Sequence, residues 1–221
     1  MKKKCNKRRG FFTSIVTLLG GRGAEAAIGI ACMPIISRLF SPVDYGVAVS
    51  LISISNVMMP LATLTYERAI VLTSTIEDET KLSILSVFFA ILFATLLAIA
   101  NYNDIFDSYY QTNPELMAWL WVIPIYTVTR SLLVVSEQVA IKKTVYRRLA
   151  GAGVFSICAA MAIRIYGGYK LGSEVSILII AYIAGMYVRL AVSSIGIVRF
   201  RKSLRNIIKI KELINVAKSF S

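Results

Sequence analysis

The sequence has no histidine, and Asp and Glu together number only 12 in 221 residues. Without histidine there is no Ser-His-Asp triad, no zinc site of the usual His-bearing kind and no imidazole proton relay. Its three cysteines, Cys5, Cys32 and Cys158, are far apart and form no C-x-x-C pair; two lie in apolar stretches, where a reduced thiol acts as a small hydrophobe. No G-x-x-x-x-G-K-[ST] run is present, which removes ATP hydrolysis by a P-loop mechanism. Charge of either sign is scarce as well, at 17% of residues, against roughly 25% in a soluble domain. These absences argue against an enzyme and imply no cofactor and no metal.

What fills the sequence instead is apolar surface. Hydrophobic residues make up 57% and the mean hydropathy is +0.68. They are gathered in long runs, and a run of about 20 apolar residues spans the roughly 30 Å of bilayer hydrocarbon. Six such segments are expected, near residues 14–39, 43–70, 81–101, 115–140, 149–168 and 174–198. The fold class is therefore all-α integral membrane, with about six transmembrane helices. Its parts are a basic leader over 1–13, a six-helix lobe over 14–198 and a basic tail over 199–221. The connections between segments are too short to house a catalytic domain.

The formal charge of +13 would ordinarily suggest nucleic acid as a partner. Its distribution points elsewhere. Six cations sit in the leader (Lys2, Lys3, Lys4, Lys7, Arg8, Arg9), four at Lys142, Lys143, Arg147 and Arg148, and seven between Arg199 and Lys218. The stretch 101–114 carries Asp104 and Asp107 but no cation. This is the positive-inside pattern, and it places both termini in the cytoplasm across an even number of spans. The partners expected are membrane lipids and no nucleic acid.

The start also has the three-part layout of a signal peptide, with a basic stretch, apolar Phe11–Leu19 and Ala24-Glu25-Ala26. Apolar sequence continues through Ala27–Phe40, however, so a single long first helix accounts for both halves. At its end, Ser41 suits the N-cap of the next helix, Pro42 its first position, and Asp44 the acidic partner of a capping box.

Ionisable residues inside spans are costly, about 2.5–3.5 kcal/mol for a central Arg on insertion scales, and they mark cavities or relays. Arg22 and Glu25, Arg130 and Glu137, Arg164 and Arg189 are of this kind. Arg130 lies some 24 Å along its helix from Pro114 and Arg189 some 22 Å from Glu174, at 1.5 Å per residue, in the inner half. Arg164 falls toward the outer side. Trp119, Tyr126, Arg130 and Glu137 form one stripe, and Tyr182, Gly185, Arg189, Ser193 and Gly196 another. Arg22 and Glu25, three apart, can pair along their helix. Gly20, Gly21, Gly23 and Gly29, with Gly151 and Gly153, read as helix-packing contacts. Arginines outnumber acids in this set, and guanidinium matches phosphate oxygens in bidentate geometry. The physical reading is a cationic cavity for an anionic, phosphorylated cargo, or alternatively a set of structural ion pairs.

Two stretches resemble a known family. Pro34-Ile35-Ile36-Ser37-Arg38-Leu39-Phe40-Ser41-Pro42-Val43-Asp44-Tyr45-Gly46 looks like the first hairpin of polysaccharide-biosynthesis flippases. Tyr66-Glu67-Arg68-Ala69-Ile70-Val71-Leu72 is similar to that family's Y-E-x-A-I-V-L run. Thr65 and Thr73 depart from it, standing where relatives tend to have arginine and proline. The resemblance belongs to the multidrug/oligosaccharidyl-lipid/polysaccharide exporter superfamily. It implies alternating access by two helical lobes that carry undecaprenyl-diphosphate-linked oligosaccharide units, such as O-antigen or capsule repeats, across the bacterial inner membrane.

On that footing the chain is expected to be the amino-terminal lobe. Arg22, Arg130, Arg164, Arg189, Tyr126 and Tyr182 would line the substrate cavity. Glu25, Glu67 and Glu137 would be charge partners or ion-coupling groups, and Tyr66 and Glu67 carry over from the motif. A polysaccharide polymerase and glycosyltransferases are the expected protein partners. The alternatives are a cation-coupled multidrug exporter of the same superfamily and a non-transporting membrane scaffold subunit.

Overall fold

A computed structural model describes residues 2–103, 114–172 and 174–194. The helices are α1 (Lys2–Leu39), α2 (Pro42–Thr63), α3 (Tyr66–Ala69), α4 (Ile76–Tyr102), α5 (Pro114–Ala118), α6 (Val122–Lys142), α7 (Tyr146–Lys170) and α8 (Val175–Ser194), with a 3₁₀ turn over Ile70–Leu72. There is no strand among the described residues. Among the described residues, five helices are long and apolar enough to cross a membrane: α1 from Val16, α2, α4, α7 and α8. The expected fourth span, α6, has 21 residues, but Arg130, Glu137 and the hydroxyls of Thr127, Thr129, Ser131 and Ser136 dilute it. Helix α1 runs unbroken from Lys2, so residue 13 is not the start of an element. The tail 199–221, Gly196 and the acidic loop residues Asp104 and Asp107 lie outside the described residues.

Two of the expected segments are broken. The segment placed over 43–70 ends at Thr63, because Leu64 and Thr65 adopt φ of 49° and 57°. Left-handed backbone costs a residue with a Cβ about 1–2 kcal/mol, and two in a row stop the helix outright. Periodicity ran through this point because Tyr66–Leu72 resumes helical structure at once. The segment placed over 115–140 splits at Trp119–Trp121 into α5 and α6. Trp119 is therefore not part of the α6 stripe that carries Tyr126, Arg130 and Glu137.

The turn into α2 forms as its sequence dictates, with one difference. The Asp44 amide donates to Ser41 Oγ at 3.1 Å, and Pro42 occupies the first turn. The Asp44 carboxylate does not return to the Ser41 amide. It accepts from the Ser41 hydroxyl at 2.6 Å.

The chain divides into two compact units. The first unit joins α1 to α7 and α8, and the second, Ser41–Val139, holds α2 to α5 and most of α6. In the first unit α1 and α7 run parallel, with Gly21 against Ala150, Glu25 against Gly153 and Phe40 against Gly168. Helix α8 runs back antiparallel, with Ile177 on Gly167 and Gly185 on Ser156 and Ala160. Ser156 Oγ donates to the Gly185 carbonyl at 2.8 Å.

In the second unit α2, α3 and the 3₁₀ turn pack on α4. Ile70, Leu82, Val135 and Val139 form its buried apolar cluster. The Tyr66 and Phe89 rings stack with centroids 5.9 Å apart.

Candidate functional site

The parallel register of α1 and α7 gathers the charges of the first unit. Glu25 lies against Gly153 of α7, which has no side chain to obstruct it, and Arg22 pairs with Glu25 along α1. A Cβ at Gly153 would overlap the Glu25 carboxylate, and one at Gly21 would overlap Ala150. Of the glycines expected to pack helices, only Gly21 and Gly153 do so; Gly20, Gly23, Gly29 and Gly151 have no heavy atom near the Cβ position. Small residues here admit a polar side chain between helices as well as close packing.

Into this notch comes a third charge from α8. Arg189 Nη1 donates to Glu25 Oε2 at 3.3 Å, and Arg22 Nη1 donates to the same oxygen at 3.3 Å. One carboxylate oxygen thus accepts from two guanidinium groups. The two arginines are not equivalent. The Arg189 side chain is 11% exposed, whereas that of Arg22 is 53% exposed. The Arg22–Glu25 pair was legible from spacing alone, but the addition of Arg189, 164 residues from Glu25, was not. The signal that could have found it was Gly153, the gap that the carboxylate needs.

Depth follows from the same register. Glu25 lies beside Gly153, seven residues into α7, or about 10 Å along the axis at 1.5 Å per residue. The group therefore sits in the third of the first unit nearest the end that carries Lys142, Lys143, Arg147 and Arg148. Arg164 is eleven residues further along α7, about 16 Å away, level with Tyr182 of α8. The structure does not bring Arg164 or Tyr182 to the Arg22–Glu25–Arg189 group.

The remaining expected site residues belong to the second unit. Tyr126 is 2% exposed, and its hydroxyl donates to Asn56 Oδ1 at 3.0 Å. It ties α6 to α2 and is no open cavity wall; Asn56, its partner, was missed from sequence. Arg130 is half-buried on the next turn of α6, and Glu137, two turns on, is buried. Glu67 of α3 is 5% exposed. A small apolar crevice opens between Ile54, Met58, Leu97, Leu120, Ile123 and Pro124. Among the described residues no group of three or more acidic, cysteine or histidine side chains could hold a metal ion.

Comparison with known proteins bears on the whole of this architecture. A search of curated proteins and a search of solved structures each gave no match. Residues 35–220 match the family described as polysaccharide biosynthesis protein, which takes in both units from the end of α1 onward. With its apolar spans and its match over most of the sequence, the chain is a multi-pass membrane protein that belongs to the polysaccharide biosynthesis protein family.

Proposed function

We propose that this protein takes part in flipping undecaprenyl-diphosphate-linked oligosaccharide across the bacterial cytoplasmic membrane by alternating access, and that Arg22 and Arg189 receive the diphosphate. The observation that carries this reading is the shared carboxylate: Glu25 Oε2 accepts from both arginines at 3.3 Å. Arg22 shares that oxygen with Arg189 and holds it by a single bond, so its guanidinium keeps donors for a second anion. Arg22, more than half exposed, is the reachable member. Phosphate oxygens offer it the bidentate geometry it lacks in its one bond to Glu25.

Glu25 then acts as an internal competitor. It holds both arginines in place while no cargo is bound, and yields Arg22 when phosphate arrives. Arg164 and Tyr182, about 16 Å further along the helices, make a second station for acidic sugars or for the same diphosphate later in its passage. Within the second unit, Arg130 carries positive charge, and Glu67 and Glu137 are the candidates for ion coupling. The loop 141–148 and both termini are cytoplasmic in this reading, which sets the Glu25 group at the level where a lipid diphosphate lies in the inner leaflet. The reading assigns no enzymatic step. Polymerase and glycosyltransferases are its expected protein partners.

The test is replacement of Arg22 and Arg189 together by Gln, with surface polysaccharide measured beside the amount of protein in the membrane. Loss of polysaccharide at normal protein level is expected. Normal polysaccharide in the double variant would remove the assignment. An organic-cation exporter predicts the reverse, a change in drug sensitivity with polysaccharide unaltered.

A further inference from the structure

The connection from α2 to α4 turns apolar side chains outward where the second unit meets the membrane surface. Two left-handed residues, Leu64 and Thr65, end α2, and α3 with its 3₁₀ turn then folds back along α4. Tyr66 stacks on Phe89, and Ile70 packs with Leu82 and Val139. Val139 stands three residues before the end of α6 at Lys142, the end that the positive-inside pattern puts at the cytoplasm. Ile70 is buried by this packing. Leu61, Leu64, Leu72 and Ile76 are 64%, 49%, 76% and 73% exposed.

Two opposite charges lie along the same surface, and they do not pair. Arg68 and Glu77 are both exposed, and among the described residues neither has an ion pair or a hydrogen bond. Asp78 differs, since its carboxylate accepts from the Thr75 hydroxyl at 2.7 Å. Depth separates the two free charges. Arg68 lies midway between Tyr66 and Ile70, so it is level with the midpoint of Leu82 and Phe89 on α4. Glu77 is about 13 Å further toward the cytoplasm, at 1.5 Å per residue of α4. Leu61 and Leu64 precede Arg68 and lie on its deeper side. From the bilayer outward the order is therefore apolar, cationic, anionic.

We infer that this face binds a phospholipid of the cytoplasmic leaflet whose headgroup carries a phosphate and a free ammonium, as in phosphatidylethanolamine. Such a lipid presents chains, phosphate and ammonium in that order along the membrane normal. The chains meet Leu61 and Leu64, the phosphate meets Arg68, and the ammonium donates to Glu77. Guanidinium suits phosphate oxygens in bidentate geometry, and a long side chain can carry it from an apolar level to the headgroups. Charge selects among lipids. A purely anionic headgroup would satisfy Arg68 and be repelled by Glu77 and Asp78, and a choline headgroup has no N–H to donate to Glu77. The site uses neither Arg22 nor Arg189, so failure of the diphosphate assignment leaves it standing.

Native mass spectrometry tests this on the full chain released from liposomes of phosphatidylethanolamine, phosphatidylcholine and phosphatidylglycerol in equal parts. Phosphatidylethanolamine is expected to be retained about threefold above either other lipid, since an exposed ion pair is worth a factor of roughly 1.5–5. Glu77→Gln is expected to remove the preference over phosphatidylglycerol, and Arg68→Gln to lower retention of phosphatidylethanolamine. Arg68→Glu combined with Glu77→Arg keeps both charges and reverses their order. It is expected to lose the preference, because the chains fix which end of the headgroup lies deeper. Arg147→Gln, an exposed cation elsewhere, is expected to keep it. Equal retention of the three lipids by the unaltered chain would overturn the assignment, as would a preference for phosphatidylglycerol. A preference that survives Glu77→Gln and the charge reversal would overturn it too. Lipid-free dimers would give this face to a second copy of the chain instead.

Discussion

The two units solve the problem of polar groups in lipid by different means. Among the described residues, thirteen of the fourteen buried polar or charged ones, from Ser55 to Glu137, belong to the second unit, and Ser193 belongs to the first. Apart from the buried carboxylates of Glu67, Glu79 and Glu137, the second unit hides polarity by hydroxyls that bond back to their own helices and by the Tyr126–Asn56 link. The first unit keeps its polarity concentrated in charge, with two arginines on one carboxylate in a notch at Gly153. Self-satisfied hydroxyls are local and nearly independent of their neighbours. A shared carboxylate makes three helices interdependent. The first unit should therefore fail sharply when one group is removed, and the second should absorb single losses.

Glu25→Ala gives the sharpest break in that comparison. It leaves Arg189, 11% exposed, without its carboxylate, and removing one partner of a buried pair costs about 3 kcal/mol or more. Reversible unfolding in mixed micelles should show this loss, and restoring charge with Glu25→Asp should recover part of it. Gly153→Ala comes next, at about 1–3 kcal/mol, the usual cost of overpacking, because its Cβ would overlap the carboxylate. In the Glu25→Ala background that cost should vanish, a non-additivity that a double-mutant cycle reads directly.

Smaller effects belong to the second unit. Tyr126→Phe removes one hydrogen bond to Asn56, worth about 1 kcal/mol, and a urea titration should show it. Ser83→Ala removes a hydroxyl that donates only to the Glu79 carbonyl of its own helix. Its effect should stay within about 0.5 kcal/mol, and a loss larger than that of Tyr126→Phe would mean that the second unit is no more tolerant than the first.

Much of this was legible beforehand because lipid imposes strict rules on composition. Apolar run length pointed to the six segments that hold α1, α2, α4, α6, α7 and α8, and Ser41-Pro42-Val43-Asp44 to the turn into α2. The Arg22–Glu25 pair followed from helical spacing. The breaks at Leu64–Thr65 and Trp119–Trp121 were hidden, since neither contains the Gly or Pro that normally marks one. The split into two units was hidden too, because hydropathy reports that a helix meets lipid and says nothing of which helix it meets. Arg189 could be placed in depth from its distance along α8. Its bond to Glu25 depends on a contact between distant parts of the chain, which periodicity does not encode.

That long-range dependence has a consequence for how the protein is made. The first unit takes α1 from the beginning of the chain and α7 and α8 from its far end. A ribosome adding roughly 5–20 residues per second needs on the order of 5–20 s to pass from Leu39 to Tyr146. Throughout that interval α1 is in the bilayer with Arg22 and Glu25 able to answer only each other. Biogenesis of this unit is thus a matter of storage, with the opening helix held ready until its closing partners are synthesised.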